Sequence, residues 1–282
     1  MQLSKISKAY MKNFSLLITS CDSFEDCWIP FFTLYENFWN DHDLNIYLTT
    51  ENKDFKFNKV NLTPTKSSIA EMGRLTWAQI LINALNKIET ELVLIFMDDF
   101  FIQKIVDSKR IDELSRLMEK DDSIDAIYLT VNGPPGCSKK SIHQGLLMVD
   151  QFSDYKVSMQ ACLWRKEVIL SLLNNKENAW MFELFGSKRA HLKKVNFLRV
   201  ATSNDSPIKY LNGIIKGQWI QEVIPLFQKN NIEINFQVRG FFSIKNKWII
   251  KITTLRTLIN KPGAFLYYFF IIPIVSKIRF KS

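Results

Sequence analysis

The sequence lacks the features that mark several large classes of protein. Its four cysteines include no Cys-x-x-Cys pair and its three histidines are scattered, so we expect no zinc site built from these residue types. The N-terminus has a basic start, but it has only a short apolar run and no small-residue cleavage site, which argues against a signal peptide. We therefore expect a cytoplasmic protein with reduced thiols.

The C-terminal part of the sequence lacks acidic residues: no Asp or Glu follows Glu233. Nine of the 37 basic residues lie in that stretch, so the first 233 residues hold 28 basic and 28 acidic residues. A basic tail on a neutral body indicates a polyanionic partner, which is either nucleic acid or anionic lipid.

The uncharged run AFLYYFFIIPIV, at residues 264–275, distinguishes between these two kinds of partner. Its twelve residues are too few for a transmembrane helix, which needs about 20. Its aromatic residues form one apolar block and do not alternate with basic residues, which disfavours nucleic acid. We expect residues 261–282 to make a peripheral contact with the inner face of the cell membrane. The alternative is a C-terminal helix packed on the protein body.

Predicted strands and helices alternate along the first half of the chain. This alternation predicts an α/β layer structure with a mainly parallel sheet in residues 1–233, followed by the basic tail at 234–282. Short apolar runs predict the strands, and apolar residues at helical spacing predict the helices. The predicted strands are Phe14–Thr19, Leu44–Leu48, Glu91–Met97, Ala126–Val131, Leu146–Val149 and Met159–Trp164; the predicted helices are Asp26–Trp39, Arg74–Ile88, Lys109–Lys120 and Lys166–Leu173.

Two carboxylates, Asp98 and Asp99, follow directly after the most hydrophobic predicted strand. Ligands of parallel sheets bind beyond the carboxyl ends of the strands, so we expect this pair to share a crevice with Asp22, which follows the first strand. Mg²⁺ and Mn²⁺ prefer oxygen ligands, and such a cation neutralises a bound diphosphate. The alternative is a solvated turn or a helix N-cap.

A series of motifs occurs in order between Phe14 and Trp219. They are Ser20-Cys21-Asp22 with Asp26-Cys27-Trp28, Arg74-Leu75 followed by Trp77, Met97-Asp98-Asp99-Phe100-Phe101, Gln160–Arg165, Trp180-Met181-Phe182-Glu183, and Tyr210–Ile214 with Lys216-Gly217-Gln218-Trp219. Together they resemble the bacterial GT-A-type glycosyltransferases of surface-polysaccharide biosynthesis (capsule, O-antigen or lipooligosaccharide). In that family the acidic motif is Asp-x-Asp, whereas the two acids are adjacent here.

This resemblance implies a GT-A-like fold, a nucleotide-sugar donor, and transfer of the sugar to a hydroxyl of a glycan or lipid-linked acceptor. A leaving nucleoside diphosphate needs its negative charge neutralised by a metal ion or by basic side chains. The residues that the resemblance implies for the donor are Ser20, Asp22, Arg74, Asp98 and Lys216, with a divalent cation, Mn²⁺ or Mg²⁺, on Asp99.

Glu183 is the candidate catalytic base. An inverting transfer needs one carboxylate to take the proton of the attacking hydroxyl. Glu183 lies among aromatic residues such as Trp180 and Phe182, so desolvation is expected to raise its pKa. The alternative is a surface glutamate beside core aromatics, in which case Asp150 or Asp154 is the next candidate.

Two other functions remain open. A nucleotidyltransferase also places acidic residues after strands, but it normally has a glycine-rich and basic loop after the first strand, and Ser20–Ser23 is neither. A non-catalytic glycan-binding relative at the membrane surface would bind its ligand without turnover. The fold alone does not separate these possibilities.

Overall fold

The computed structural model describes residues 12–67 and 75–243. By internal contacts this part forms a large unit, residues 12–67, 75–214 and 222–235, and a small unit, residues 215–221 and 236–243. Arg74 and the predicted membrane contact at 261–282 lie outside the described residues. Among the helices of the described part, none combines the length and the apolar character needed to cross a membrane.

A nine-stranded sheet forms the centre of the large unit, in the order β3-β2-β1-β4-β9-β6-β10-β8-β7. Its strands are β1 (Phe14–Thr19), β2 (Ile46–Leu48), β3 (Leu62–Pro64), β4 (Leu92–Met97), β6 (Ala126–Tyr128), β7 (Lys139–Lys140), β8 (Leu146–Met148), β9 (Cys162–Arg165) and β10 (Phe197–Val200). Seven of the nine run in one direction and only β8 and β9 oppose them. The predicted α/β class with a mainly parallel sheet is therefore confirmed.

Four further strands and seven helices complete the described chain. Strands β5 (Phe100–Ile102) and β11 (Tyr210–Asn212) pair in the large unit, and β12 (Ile214–Ile215) and β13 (Gln218–Trp219) form a short ladder. The helices are α1 (Glu25–Phe38), α2 (Trp77–Lys87), α3 (Ser108–Lys120), α4 (Lys166–Leu172), α5 (Ala179–Met181), α6 (Ser187–Lys193) and α7 (Val223–Lys229). A π-helical turn, Phe182–Gly186, joins α5 to α6.

The long predicted elements are confirmed, and the errors concern short ones. Strand β6 ends at Tyr128 and not at Val131: the Leu129 N–H still bonds across to the Ala161 carbonyl at 2.9 Å, but the chain bends from this residue onward. Strand β9 begins at Cys162 and not at Met159. Strands β3, β5 and β10 have three or four residues each and were missed, since so few residues give little periodicity.

The strand order creates a crevice between β1 and β4. From β1 the chain moves outward to β2 and β3, and it then returns to place β4 on the other side of β1. Such a reversal is the point where open α/β sheets bind ligands, at the carboxyl ends of the strands. The β1–β4 register pairs Phe14 with Leu92 and Thr19 with Met97, so both strands end at the same level.

The pairing of β5 with β11 holds the backbone after β4 in place. Asn212 lies opposite Phe100, and the Gly213 N–H donates to the Asp99 carbonyl at 2.8 Å. A Cβ atom at Gly213 would lie 2.1 Å from the ring of Phe101, which is fully buried. Only glycine therefore allows this close approach of β11 to the Asp99 backbone.

We expect Gly213→Ala to lower the free energy of unfolding by about 1–3 kcal/mol through overpacking against Phe101. Phe101→Leu is expected to destabilise by a similar amount through the cavity it leaves, but it makes room for the added methyl group. In urea unfolding the double variant should therefore lose less stability than the sum of the single variants. Additivity within about 0.5 kcal/mol would show that the two positions do not compete for the same space.

Candidate active site

A cleft of about 260 Å³ opens at the carboxyl ends of β1 and β4, at the reversal of the strand order. Its polar side is formed by Ser20, Glu51 and Asp98. The remaining wall is mostly apolar and includes Trp77 and Met97. The cleft thus combines a few oxygen ligands with an apolar wall, as small-molecule sites usually do.

Asp98 is held by a hydrogen-bond relay that starts on α1. Its side chain is buried, with 3% of its surface exposed. The Ser20 hydroxyl donates to Asp98 Oδ2. The same hydroxyl oxygen accepts from the Trp28 indole N–H at 2.7 Å, and Trp28 is fully buried. Because an indole only donates, the Ser20 proton is left for another acceptor, and the Asp98 carboxylate is nearer than the Cys21 carbonyl at 3.4 Å.

Asp22 is engaged with the loop that follows β2. Its carboxylate accepts the N–H groups of Glu51 at 2.9 Å, Asn52 at 2.9 Å and Lys53 at 3.2 Å. In return, Glu51 Oε2 accepts the Asp22 N–H at 2.5 Å. The Asp22 oxygens therefore fasten this loop, and Glu51 presents the acidic side chain that lines the cleft.

Asp99 follows Asp98 but has different surroundings. Its side chain is also buried, with 7% exposed, and its backbone carbonyl is bonded to Gly213. The next residue, Phe100, stacks on Tyr210 with ring centroids 4.5 Å apart and planes 13° from parallel. The Tyr210 hydroxyl donates to Gln160 Oε1 at 2.8 Å and accepts the Ala161 N–H at 3.2 Å. This ring joins the acidic turn to the segment that enters β9.

Glu183 lies in the π-helical turn, and its side chain is half-buried. Its Oε1 accepts the Met159 N–H at 2.7 Å and the Ser158 hydroxyl at 3.3 Å. Burial raises the pKa of this carboxyl group, and these two hydrogen bonds offset only part of that effect. The predicted direction of the pKa shift is confirmed, while the role of the residue as a base stays a prediction.

The helical segment that leads into the turn of Glu183 borders the cleft that Asp98 lines. Ala179, which begins this helical segment, lines the cleft, and the ring of Phe182 lies 5.7 Å from the ring of Trp77. The register of the sheet gives the same placement, because Cys162 pairs with Ile95 near the carboxyl end of β4. Residues 158–161, including the backbone bonded to Glu183, therefore lie at that edge of the sheet.

The remaining predicted residues are Lys216, which belongs to the small unit, and Asp150 and Asp154, which belong to the large unit. Lys216 is exposed in the two-residue turn of the β12–β13 hairpin, where it and Gly217 have φ of 53° and 80°. Asp150 follows Val149, whose N–H bonds the first residue of β10, so it lies at the amino edge of the sheet. The Ser138 hydroxyl lowers the pKa of Asp150, and Asp154 is exposed. Neither aspartate shares the features of Glu183.

The sequence prediction missed three residues that shape the cleft: Trp28, Glu51 and Trp77. Trp28 and Trp77 occur within the motifs that suggest the family, but nothing in their spacing shows which ring is buried and which borders a cleft. Glu51 follows a short strand, and a carboxylate at a strand end was the available signal.

The carboxylate oxygens of the acidic pair suit a metal cation that is bound together with a substrate. Over residues 12–67 and 75–243, no three His, Cys, Asp or Glu side chains converge in a metal-binding cluster. Asp98 still offers carboxylate oxygens at the cleft, and Asp99 follows it directly in the chain. Mg²⁺ is commonly held by one or two carboxylates plus the phosphates of a substrate, so two adjacent aspartates fit this mode and not an all-protein cage.

No protein-family model and no curated protein sequence matches this chain. Several solved structures match it at low similarity. S. aureus TarS (residues 1–349) matches at 16% identity and a TM-score of 0.45, over 70% of this chain and 59% of that chain. The mannosyltransferase PcManGT from Pyrobaculum calidifontis, in complex with GDP-Man and Mn²⁺, matches at 10% identity and a TM-score of 0.44. The match covers 74% of this chain and 59% of that chain. A UDP-glucose pyrophosphorylase in complex with UDP-glucose matches at 8% identity and a TM-score of 0.43. The match covers 72% of this chain and 92% of that chain.

The raised pKa of Glu183 predicts how stability depends on pH. The folded state holds this proton more tightly than the unfolded state, so the residue favours folding below the ordinary glutamate pKa and loses that contribution as pH rises through the raised value. Glu183→Gln keeps an acceptor for the Met159 N–H and does not titrate. Its unfolding free energy, relative to wild type, should therefore increase between about pH 4.5 and about pH 7.5 in urea titrations.

The matched control is Glu167→Gln, which removes one carboxylate from an exposed position on α4. Its difference from wild type should change less over the same pH range. A Glu183→Gln difference that stays constant, or falls with rising pH, would contradict the burial of an ionisable group at this position.

Proposed function

We propose that this chain is a glycosyltransferase that takes a sugar from a nucleoside-diphosphate donor and transfers it to a hydroxyl of a glycan or lipid-linked acceptor. The observation that carries the proposal is a cleft at the carboxyl ends of β1 and β4 that Asp98 lines, bordered by the helical segment that leads to Glu183. Asp98 is buried and fixed by Ser20 at the sheet's reversal point, while Glu183 has a raised pKa on a neighbouring helical turn. The motif resemblance supports the same reaction.

The donor side of the cleft is built by β1, β2 and β4. Ser20 fixes the carboxylate of Asp98, and Asp22 fixes the loop that carries Glu51. A divalent cation on Asp98 or Asp99 would supply positive charge against the diphosphate. In this proposal Arg74 and Lys216 add further positive charge to the leaving group.

The transfer step needs a base near the acceptor. The Glu183 carboxylate takes the proton of the acceptor hydroxyl, whose oxygen forms a bond to the anomeric carbon. The bond between that carbon and the phosphate oxygen breaks, and the nucleoside diphosphate leaves with its electron pair. The Met159 N–H holds Glu183 Oε1 in place, and the raised pKa brings the group closer to the basicity that such a step requires. Attack opposite the leaving group inverts the anomeric centre.

The proposed acceptor belongs to cell-surface polysaccharide synthesis on the inner face of the membrane. The support for this part is the sequence of the tail, in which an uncharged aromatic run is flanked by Lys261, Lys277, Arg279 and Lys281. Such a segment suits the surface of an anionic bilayer, where a lipid-linked glycan would be presented.

A thermal-shift screen tests donor binding directly. Nucleoside diphosphates, each with and without Mn²⁺ or Mg²⁺, should raise the unfolding temperature of wild type for at least one base. A ligand at a hundredfold excess over its dissociation constant adds about 2.7 kcal/mol of stability. Asp98→Asn should lose most of this shift, because it removes the carboxylate that Ser20 orients. Asp43→Asn, an exposed change before β2, is the matched control and should keep it.

Glu183→Gln separates binding from chemistry. It should keep the nucleotide shift but lower the rate of transfer by about 10²–10⁴, the range for loss of a general base. Full transfer activity in this variant would remove Glu183 from its role. Donor binding by wild type without any turnover would favour the non-catalytic relative, and no shift with any nucleotide would overturn the proposal.

A further inference from the structure

Trp77 is placed unlike the core tryptophans of the large unit. Trp28 and Trp164 are fully buried, whereas Trp77 is half-buried and its side chain lines the cleft together with Ser20 and Asp98. Trp180 is also half-buried, but it does not line this cleft. An indole held at the wall of a cleft offers a large rigid surface to a ligand.

The backbone around Trp77 is fastened on both sides. Thr76 and Gln79 form a capping box, in which the Gln79 N–H donates to Thr76 Oγ1 at 3.1 Å and the Thr76 N–H donates to Gln79 Oε1 at 2.8 Å. The Ala78 N–H donates to the Glu177 carbonyl at 3.2 Å, and the Glu177 carboxylate is paired with Arg189. Trp77 therefore begins α2 from an anchored position, which is what a preorganised binding surface requires.

Trp77 also borders both parts of the chain that carry the proposed chemistry. On one side it shares the cleft with Asp98, and on the other its ring contacts Phe182, the residue before Glu183. In a sugar transfer the donor sugar must lie between the diphosphate and the base. In the proposed function Trp77, which lines the cleft with Asp98 and contacts the segment of Glu183, is the surface against which the sugar can rest.

We infer that Trp77 is the platform for the transferred sugar, an inference that rests on the proposed function. A pyranose ring presents a face of C–H groups to the indole and keeps its hydroxyls free for polar contacts. This packing displaces water from the reacting carbon and fixes its orientation between Asp98 and Glu183. The residue then contributes to binding of the sugar and not to binding of the nucleotide.

Isothermal titration with matched ligand pairs tests this assignment. Each nucleoside diphosphate that binds wild type is compared with its hexose and N-acetylhexosamine conjugates, in the same metal. Trp77→Ala should weaken the conjugate by about five- to tenfold, the scale of an aromatic contact, and leave the free nucleoside diphosphate within about twofold. Trp77→Phe should retain part of the sugar's contribution. Trp180→Ala, the matched half-buried tryptophan, should change neither ligand.

Other outcomes overturn the inference in distinct ways. Equal weakening of the free and conjugated nucleotide by Trp77→Ala would make the ring a base platform or a structural residue. Unchanged affinity for both would remove it from the site. Should the alanine variant fail to fold, Trp77→Phe decides. If this variant prefers the sugar conjugate over the free nucleoside diphosphate as strongly as wild type does, the indole does not bind the sugar. Failure of wild type to bind any nucleotide would overturn the proposed function, and this inference with it.

Discussion

The in-register pairing of β1 with β4 is the constraint from which the rest of the site follows. Since Thr19 lies opposite Met97, the chain leaves both strands at one level, and Ser20 emerges beside Asp98. The hydroxyl can then donate to the carboxylate, and the strand reversal leaves a crevice above this point. A slip of one residue would turn the side chains of a strand to the opposite face and separate this pair.

Two adjacent buried carboxylates oppose folding, because each loses water and each repels the other. The fold compensates through donors that are themselves fixed. Trp28 commits the Ser20 hydroxyl to Asp98, and β11 holds the Asp99 backbone through Gly213. The aromatic packing around these donors is thus part of the site, because it keeps polar groups aligned before a ligand arrives. Such preorganisation is the usual source of electrostatic stabilisation in enzymes.

The sequence predicted the parts of the fold that local pattern determines. Strands β1 and β4 have six residues each, of which four in β1 and all six in β4 are apolar, and α2 and α3 have regular helical spacing, so their positions could be predicted with small errors at the ends. That Asp98 lines a cleft was predictable, because ligands of parallel sheets bind beyond the carboxyl ends of the strands. The contacts of Glu51 and Trp77 were not predictable, since they depend on how separate elements meet. Asp22 shows the same limit: its type and position suggested a ligand contact, but its oxygens hold backbone N–H groups of another loop.

Asp98 and Glu183 come from different parts of the chain, and different interactions hold them in place. Asp98 is held by side chains and by the sheet, whereas Glu183 sits in a π-helical turn that departs from regular helix geometry. Ser187 and the Met159 N–H stabilise this turn. Gly186 leaves room for the Phe182 ring, because a Cβ atom added at Gly186 would lie 3.0 Å from that ring. A π turn inserts one residue and so redirects the side chains that follow, which is why such turns are frequent at functional sites. The regular sheet thus places Asp98 at the cleft, and the irregular helical segment brings Ala179 to the same cleft and Phe182 against Trp77.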